Sequence, residues 1–236
     1  MMASERARAA ALVPVDVSLL SHVLLTPLSG IVMWCQMLER QPQLPPTVKR
    51  GLHAIDHGAR AQVAILENLV EMSRLHAGDR ELHRTRVDVV AGAHDVVAQA
   101  TSAAEPRGVL LVFAGPAAPC FVEGDPARLR CALRNVVDNA VAASSDGGRV
   151  EVTVEETVNG VVFSVADAGS GLTPATWARL LVLGDLREAR AARRHGGLGL
   201  GLPITRHLVD LHGGTLVMRP NTPRGCQVVI TLPRAP

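Results

Sequence analysis

Apolar residues at Leu24, Leu28, Ile31, Cys35 and Leu38 recur at steps of four, three, four and three. That spacing is a heptad seam, and it commits the stretch to an α-helix whose apolar edge must meet another helix. The connector Gln41-Pro42-Gln43-Leu44-Pro45-Pro46 cannot continue it. A second helical rhythm follows at Leu52, Ile55, Ala59, Val63, Leu66 and Leu69, loosened at Gln62, where a strict heptad would be apolar. Two such helices cannot bury both seams alone. Residues 15–78 are therefore expected to form a helical hairpin that pairs with a second copy as a homodimeric four-helix bundle, behind an N-terminal tail at 1–14. On a helical wheel His22 lies about 180° from Ile31, on the solvent side, where another molecule or domain can reach it.

The run 17–38 holds no Asp, Glu, Lys or Arg and is long enough to span a bilayer. It also carries His22, Thr26, Pro27, Gly30 and Gln36, which lipid penalises, so membrane insertion is not expected. The apolar run at 9–13 is too short for a secretory signal. A net charge of +2, with no basic stripe interleaved by aromatics, gives no reason to expect nucleic acid. Cys35, Cys120, Cys131 and Cys226 form no C-x-x-C pair and the histidines no ligand spacing. A disulfide framework and a zinc site are thus disfavoured, and a reducing cytoplasm fits.

Beyond Gly78-Asp79 the period changes, and residues 79–236 read as a second domain. A helix is expected over 87–104 and a strand over 109–113. Asp125-Pro126 is a helix start, an N-cap carboxylate with proline in the first turn, for a helix reaching about Ser144. Strands at 149–156 and 160–167 are joined by Asn159-Gly160. A helix over about 199–212 and strands at 215–219 and 227–232 close the chain. The fold class expected is thus a helical hairpin followed by an α/β two-layer sandwich.

Three segments of that second domain carry chemistry. In Gly196-Gly197-Leu198-Gly199-Leu200-Gly201-Leu202-Pro203-Ile204, glycines open a helix, letting backbone N–H groups approach phosphates beside the partial positive charge of the helix start. The spacing is neither G-x-G-x-x-G nor G-K-[ST], so the Rossmann and P-loop patterns fail. In Asp167-Ala168-Gly169-Ser170-Gly171, a carboxylate at a strand end can accept a hydrogen bond from an adenine amino group, with glycines making room for the ring. In Asn135-Val136-Val137-Asp138-Asn139-Ala140, two amides sit one turn apart on one helix face, although Asn is a poor mid-helix residue. Neutral amide oxygens suit a Mg²⁺ ion that already carries phosphates and keeps several waters.

Together with Ser21-His22-Val23-Leu24-Leu25-Thr26-Pro27-Leu28, these segments, in this order, resemble the sensor histidine kinases and their GHKL-type ATPase domain. Residues 21–28 resemble the family's H box, S-H-E-L-R-T-P-L; 135–140 the N box; 167–171 the G1 box; 197–204 the G2 box. His212-Gly213-Gly214 and Leu232-Pro233 are similar to the family's ending. The resemblance implies ATP and Mg²⁺ as cofactors, with Asn135, Asn139, Asp167, Gly169, Gly171, Gly197, Leu198, Gly199, Leu200 and Gly201 around the nucleotide and Asn139 on the metal. It implies that His22 takes the γ-phosphoryl group and passes it to an aspartate on a response-regulator receiver domain. It also implies that Thr26 orients water when the partner is dephosphorylated. Residues 173–195 would form a lid, in which Arg187, Arg190, Arg193 and Arg194 face phosphate oxygens. An upstream sensory protein is expected to supply the signal.

The sequence departs from the pattern where the chemistry is most exposed. The acidic residue that normally follows the phosphoacceptor, and takes its proton, is Val23; the next Arg is replaced by Leu25; the lid lacks its phenylalanines. Losing a general base costs about 10² to 10⁴ in rate. Three readings stay open at this level: a slow protein-histidine kinase, a nucleotide-binding adaptor that transfers nothing, and a response-regulator phosphatase acting through Thr26.

Overall fold

A computed structural model describes residues 17–41, 43–171, 200–222 and 224–235. The chain falls into two compact units, Met1–Gly78 and Asp79–Pro236.

In the first unit, α1 (Val17–Glu39) and α2 (Pro46–His76) pack as a hairpin. Pro46 opens α2 at a position whose N–H has no helical partner in any case. Pro27 lies inside α1 and removes the main-chain bond that would reach the carbonyl of Val23. Cys35 on α1 and Leu52, Asp56 and Ala59 on α2 are buried. Asp56 pairs with Arg60 at 2.6 Å, and Glu39 with His53 at 3.4 Å. Leu24, Ile31 and Leu38 of the expected seam stay exposed, as do Ile55 and Leu69 of α2. One hairpin thus covers part of its apolar surface and leaves the rest on offer. Among the described residues, no helix is long and apolar enough to cross a membrane.

The second unit contains β1 (Thr85–Asp88), α3 (Val89–Ala104), β2 (Leu110–Ala114), β3 (Phe121–Gly124), α4 (Pro126–Ala143), β4 (Arg149–Thr157), β5 (Gly160–Asp167), α5 (Gly201–Leu211), β6 (Thr215–Pro220) and β7 (Cys226–Leu232). Five strands form a sheet in the order β2-β4-β5-β7-β6, parallel only between β2 and β4. Val150, Val152 and Val154 of β4, Val161, Phe163 and Val165 of β5, and Val228, Ile230 and Leu232 of β7 are buried at alternate positions, so one sheet face supplies the core. Against it pack Ala93, Val96 and Val97 of α3 and Leu133, Val136 and Val137 of α4. With so few aromatics, Val and Ala fill that layer.

Two expectations change in detail. Residues 87 and 88 belong to β1, which pairs antiparallel with β3, and α3 starts at Val89 behind an Asp88 side chain that accepts from the Val90 N–H at 2.9 Å. Strands of four residues are too short for alternation to reveal them. The helix expected over 199–212 runs from Gly201 to Leu211 among the described residues.

Candidate functional site

The period of the central strand aims the first site residue. Asp167 follows Val161, Phe163 and Val165 at alternate positions, so its side chain leaves the end of β5 toward the helices. It is 5% exposed. Burial pushes its carboxyl above the ordinary range, while the N–H groups of Gly169 and Cys226 pull the other way. Both N–H groups donate to Oδ1, at 2.8 and 3.3 Å. No hydrogen-bond partner of Oδ2 is found among the described residues. One carboxylate oxygen is thus anchored, and the other is left for an incoming donor.

The loop that follows is fixed by contacts only glycine allows. A Cβ on Gly169 would overlap the carbonyl of Ala143, at the end of α4, and come within 2.9 Å of Asp167 Oδ1. Gly171 has φ +67° and faces the carbonyl of Gly225.

Helix α4 carries the second group. Asp125 caps it, its Oδ1 accepting from Ala127 and Arg128 at 3.0 and 3.1 Å and its Oδ2 from His83 at 3.3 Å. Burial raises the Asp125 pKa, but these three bonds outweigh it and hold the carboxyl below the usual value. One turn apart on α4, the two amides diverge. Asn139 is exposed; Asn135 is 5% exposed, and its Nδ2 donates to the Gly201 carbonyl at 3.4 Å. Thr205, fully buried, sends its hydroxyl to the same carbonyl at 2.8 Å. A Cβ on Gly201 would lie 3.4 Å from both Asn135 Cγ and Asn139 Nδ2. The start of α5 therefore rests directly on the two asparagines.

Helix α4 is thus the spine of the site. Its middle, at Asn135 and Asn139, meets Gly201; its end, at Ala143, meets the loop after Asp167. Leu200 is buried just ahead of α5. Gly197, Leu198 and Gly199, and the expected lid at 173–195 with its arginines, lie outside the described residues. In the hairpin, Thr26 is exposed one turn beyond position 22 in α1; the main chain of His22 is helical, and its side chain lies outside those described.

Several residues that serve this arrangement gave little or no sequence signal. His212 was legible only as part of a terminal H-G-G. It is 3% exposed, with Nδ1 against the Leu208 carbonyl at 2.6 Å and Nε2 accepting the Asp125 N–H at 3.0 Å. Those partners require the neutral Nδ1–H tautomer, and burial pushes its pKa down. Thr205 and Cys226 gave no signal: the Thr205 hydroxyl closes an ordinary i−4 helical bond, and the Cys226 N–H donates to a carboxylate 59 residues away in sequence.

The arrangement offers an acceptor at the end of β5, amide groups along α4 and a glycine approach at the start of α5. Among the described residues no group of His, Cys, Asp and Glu is set to cage a metal ion. The donor set available is neutral amide oxygen, which suits an ion held mainly by phosphates and water.

The profile of the His Kinase A (phospho-acceptor) domain matches residues 17–78, and that of the histidine kinase-, DNA gyrase B- and HSP90-like ATPases matches 124–236. The hybrid signal transduction histidine kinase D of Dictyostelium discoideum is 27% identical over 92% of this chain and 14% of its own length. The signal transduction histidine-protein kinase BarA of Escherichia coli K12 is 29% identical over 95% of this chain and 25% of its own. The chain thus spans a quarter or less of these two relatives. Full-length ShkA in complex with AMPPNP matches with a TM-score of 0.64 at 26% identity, over 94% of this chain and 46% of that one. The mycobacterial sensor histidine kinase MprB matches with a TM-score of 0.56 at 27% identity, over 65% of this chain and 99% of that one.

Proposed function

The chain belongs to the sensor histidine kinases as a transmitter core, a HisKA hairpin followed by a GHKL-type ATPase domain, and on that premise we propose that it is an ATP-dependent protein-histidine kinase of a two-component pathway. The observation that carries this reading is the convergence on α4: Gly201 against Asn135 and Asn139, and Gly169 against Ala143 beside the Asp167 carboxylate. In the proposed site Asp167 Oδ2 accepts from the adenine amino group, and Gly169 and Gly171 leave room for the ring. Gly197, Leu198, Gly199, Leu200 and Gly201 line the phosphates with main-chain N–H groups. Asn139, helped by Asn135, supplies amide oxygen to Mg²⁺, which when bound neutralises charge on the phosphates. The AMPPNP bound by ShkA supports an adenine nucleotide as ligand.

The reaction is a transfer from oxygen to nitrogen. A ring nitrogen of His22 bonds to the γ-phosphorus, the bond to the bridging oxygen breaks, ADP leaves, and the imidazole proton passes to solvent. Position 23 offers no carboxylate to take that proton, so the transfer is slow. The phosphoryl group then passes to an aspartate on a response-regulator receiver domain. The exposed seam at Leu24, Ile31, Leu38, Ile55 and Leu69 supports closure by a second copy of the hairpin. Four buried cysteines, none of them in a disulfide among the described residues, accord with a reducing, cytoplasmic setting. Input comes from a sensory protein or further domain.

The test is incubation with γ-labelled ATP and Mg²⁺. Acid-labile label on the chain, absent from His22→Ala, is the expected result. Label that persists in His22→Ala removes His22 from the mechanism. No label on a chain that still binds nucleotide leaves the adaptor reading in its place. The exposure of Thr26 favours one second activity, dephosphorylation of the phosphorylated regulator, which Thr26→Ala would abolish without changing nucleotide affinity.

A further inference from the structure

The turn between β6 and β7 reaches under the Asp167 loop at several points. Asn221 opens it: its N–H donates to the Gly225 carbonyl at 3.1 Å, and its Oδ1 accepts from the Thr222 N–H at 3.0 Å. With the turn so fixed, Asn221 Nδ2 donates to the main-chain carbonyl of Asp167 at 2.8 Å. Gly225 has φ +113° and lies so close to that carbonyl that a Cβ there would overlap it. Gly171 faces the Gly225 carbonyl, and the next N–H, that of Cys226, holds Asp167 Oδ1. The Asp167 peptide is therefore gripped from the turn through both its carbonyl and its carboxylate.

We infer that Asn221 is a positioning residue for purine recognition, one that fixes where the Asp167 carboxylate sits and thereby sets the preference for adenine over guanine. The inference rests on the reading of Asp167 as the adenine acceptor. Adenine presents an amino donor at the position where guanine presents a carbonyl oxygen. A carboxylate pairs with the first and repels the second, and this discrimination depends on a fixed acceptor, because a loosened one can swing away from the carbonyl oxygen. The Asn221 amide prevents that movement while remaining outside contact with the base.

The test uses the full chain, with affinities for ADP and GDP measured by calorimetry alongside Tm. Asn221→Ser keeps a hydroxyl to accept from Thr222 but cannot reach the Asp167 carbonyl, so it separates the turn from the anchor. The expected result is a Tm within a few degrees of the parent, ADP affinity lower by about fivefold, and a smaller ADP-to-GDP ratio. In an Asp167→Ala background the same change should have no further effect, since Asn221 acts through Asp167. An unchanged ratio, or equal losses for both nucleotides in step with a falling Tm, overturns the inference and leaves the role of Asp167 intact. A parent chain that binds ADP no better than GDP overturns the reading of Asp167 and this inference with it.

Discussion

The Nε2 of His212 accepts the main-chain N–H of Asp125 at 3.0 Å, joining the end of α5 to the residue that caps α4. Both helices that hold the site are thereby locked at one buried contact, and the other ring nitrogen is spent on the Leu208 carbonyl. A protonated ring has no lone pair for Asp125. This makes His212 a control point for stability.

Its folded pKa lies below the ordinary value of 6.5 because burial disfavours the charged ring. The unfolded chain therefore binds the proton more readily, and the stability held by neutral His212 is complete above about pH 6.5 and erodes as the pH falls below it. His207 on the same helix is shifted in the same direction by burial and adds to the slope. Denaturation midpoints from pH 8 to pH 5.5 should fall in the parent and fall less in His212→Gln. Identical slopes would remove His212 from the account. His212→Ala should cost about 2–4 kcal/mol at neutral pH, since two buried main-chain groups lose their partner.

Asp167 titrates with the opposite sign for stability. Its pKa is raised, so acidification does not unfold the protein through this group, but it removes the acceptor from Oδ2 at a higher pH than an ordinary carboxylate would. ADP affinity should decline on the acid side in the parent. Asp167→Asn should weaken ADP by roughly ten- to a hundredfold and abolish that decline. Calorimetry from pH 8 to pH 5 measures both, and a decline that persists in the variant would assign it to another group.

Gly169→Ala forces a methyl into the Ala143 carbonyl and against Asp167 Oδ1. The loop must move, at a cost of about 1–3 kcal/mol. Nucleotide binding should be lost well before the fold. A variant that binds ADP as the parent does would show that the loop has room to relax.

Val23 is 59% exposed, so a carboxylate there carries no burial penalty. Val23→Glu should leave Tm within about a degree and raise the rate of acid-labile labelling by about 10² to 10⁴. No change in rate would mean that the missing base is not what limits transfer.

Legibility tracked whether a residue's partners are near it in sequence. Asp125 announced its helix because a cap and the N–H groups it binds lie within three residues, and the expected start was met. Strand β5 was expected at its observed limits because alternation runs through it from the Asn159-Gly160 turn. Asn135 and Asn139 looked alike in sequence; the fold buries one against the Gly201 carbonyl and leaves the other exposed. Thr205, Asn221 and Cys226 were silent, because Asn221 and Cys226 answer the carbonyl and the carboxylate of Asp167, which is distant in sequence, and Thr205 closes a bond that any helical Thr can make.

The sequence alone determined the succession of a heptad hairpin and an α/β layer, through periodicity and capping, and the chemical types available at the site, through its glycine, carboxylate and amide segments. Tertiary structure decided which of those groups share the spine of α4, which carboxylate oxygen is anchored, and that a buried histidine holds two helices together. Local rules set element type because their partners are a turn away; placing Asp167 took β7 and the β6–β7 turn, brought to it only by packing the sheet.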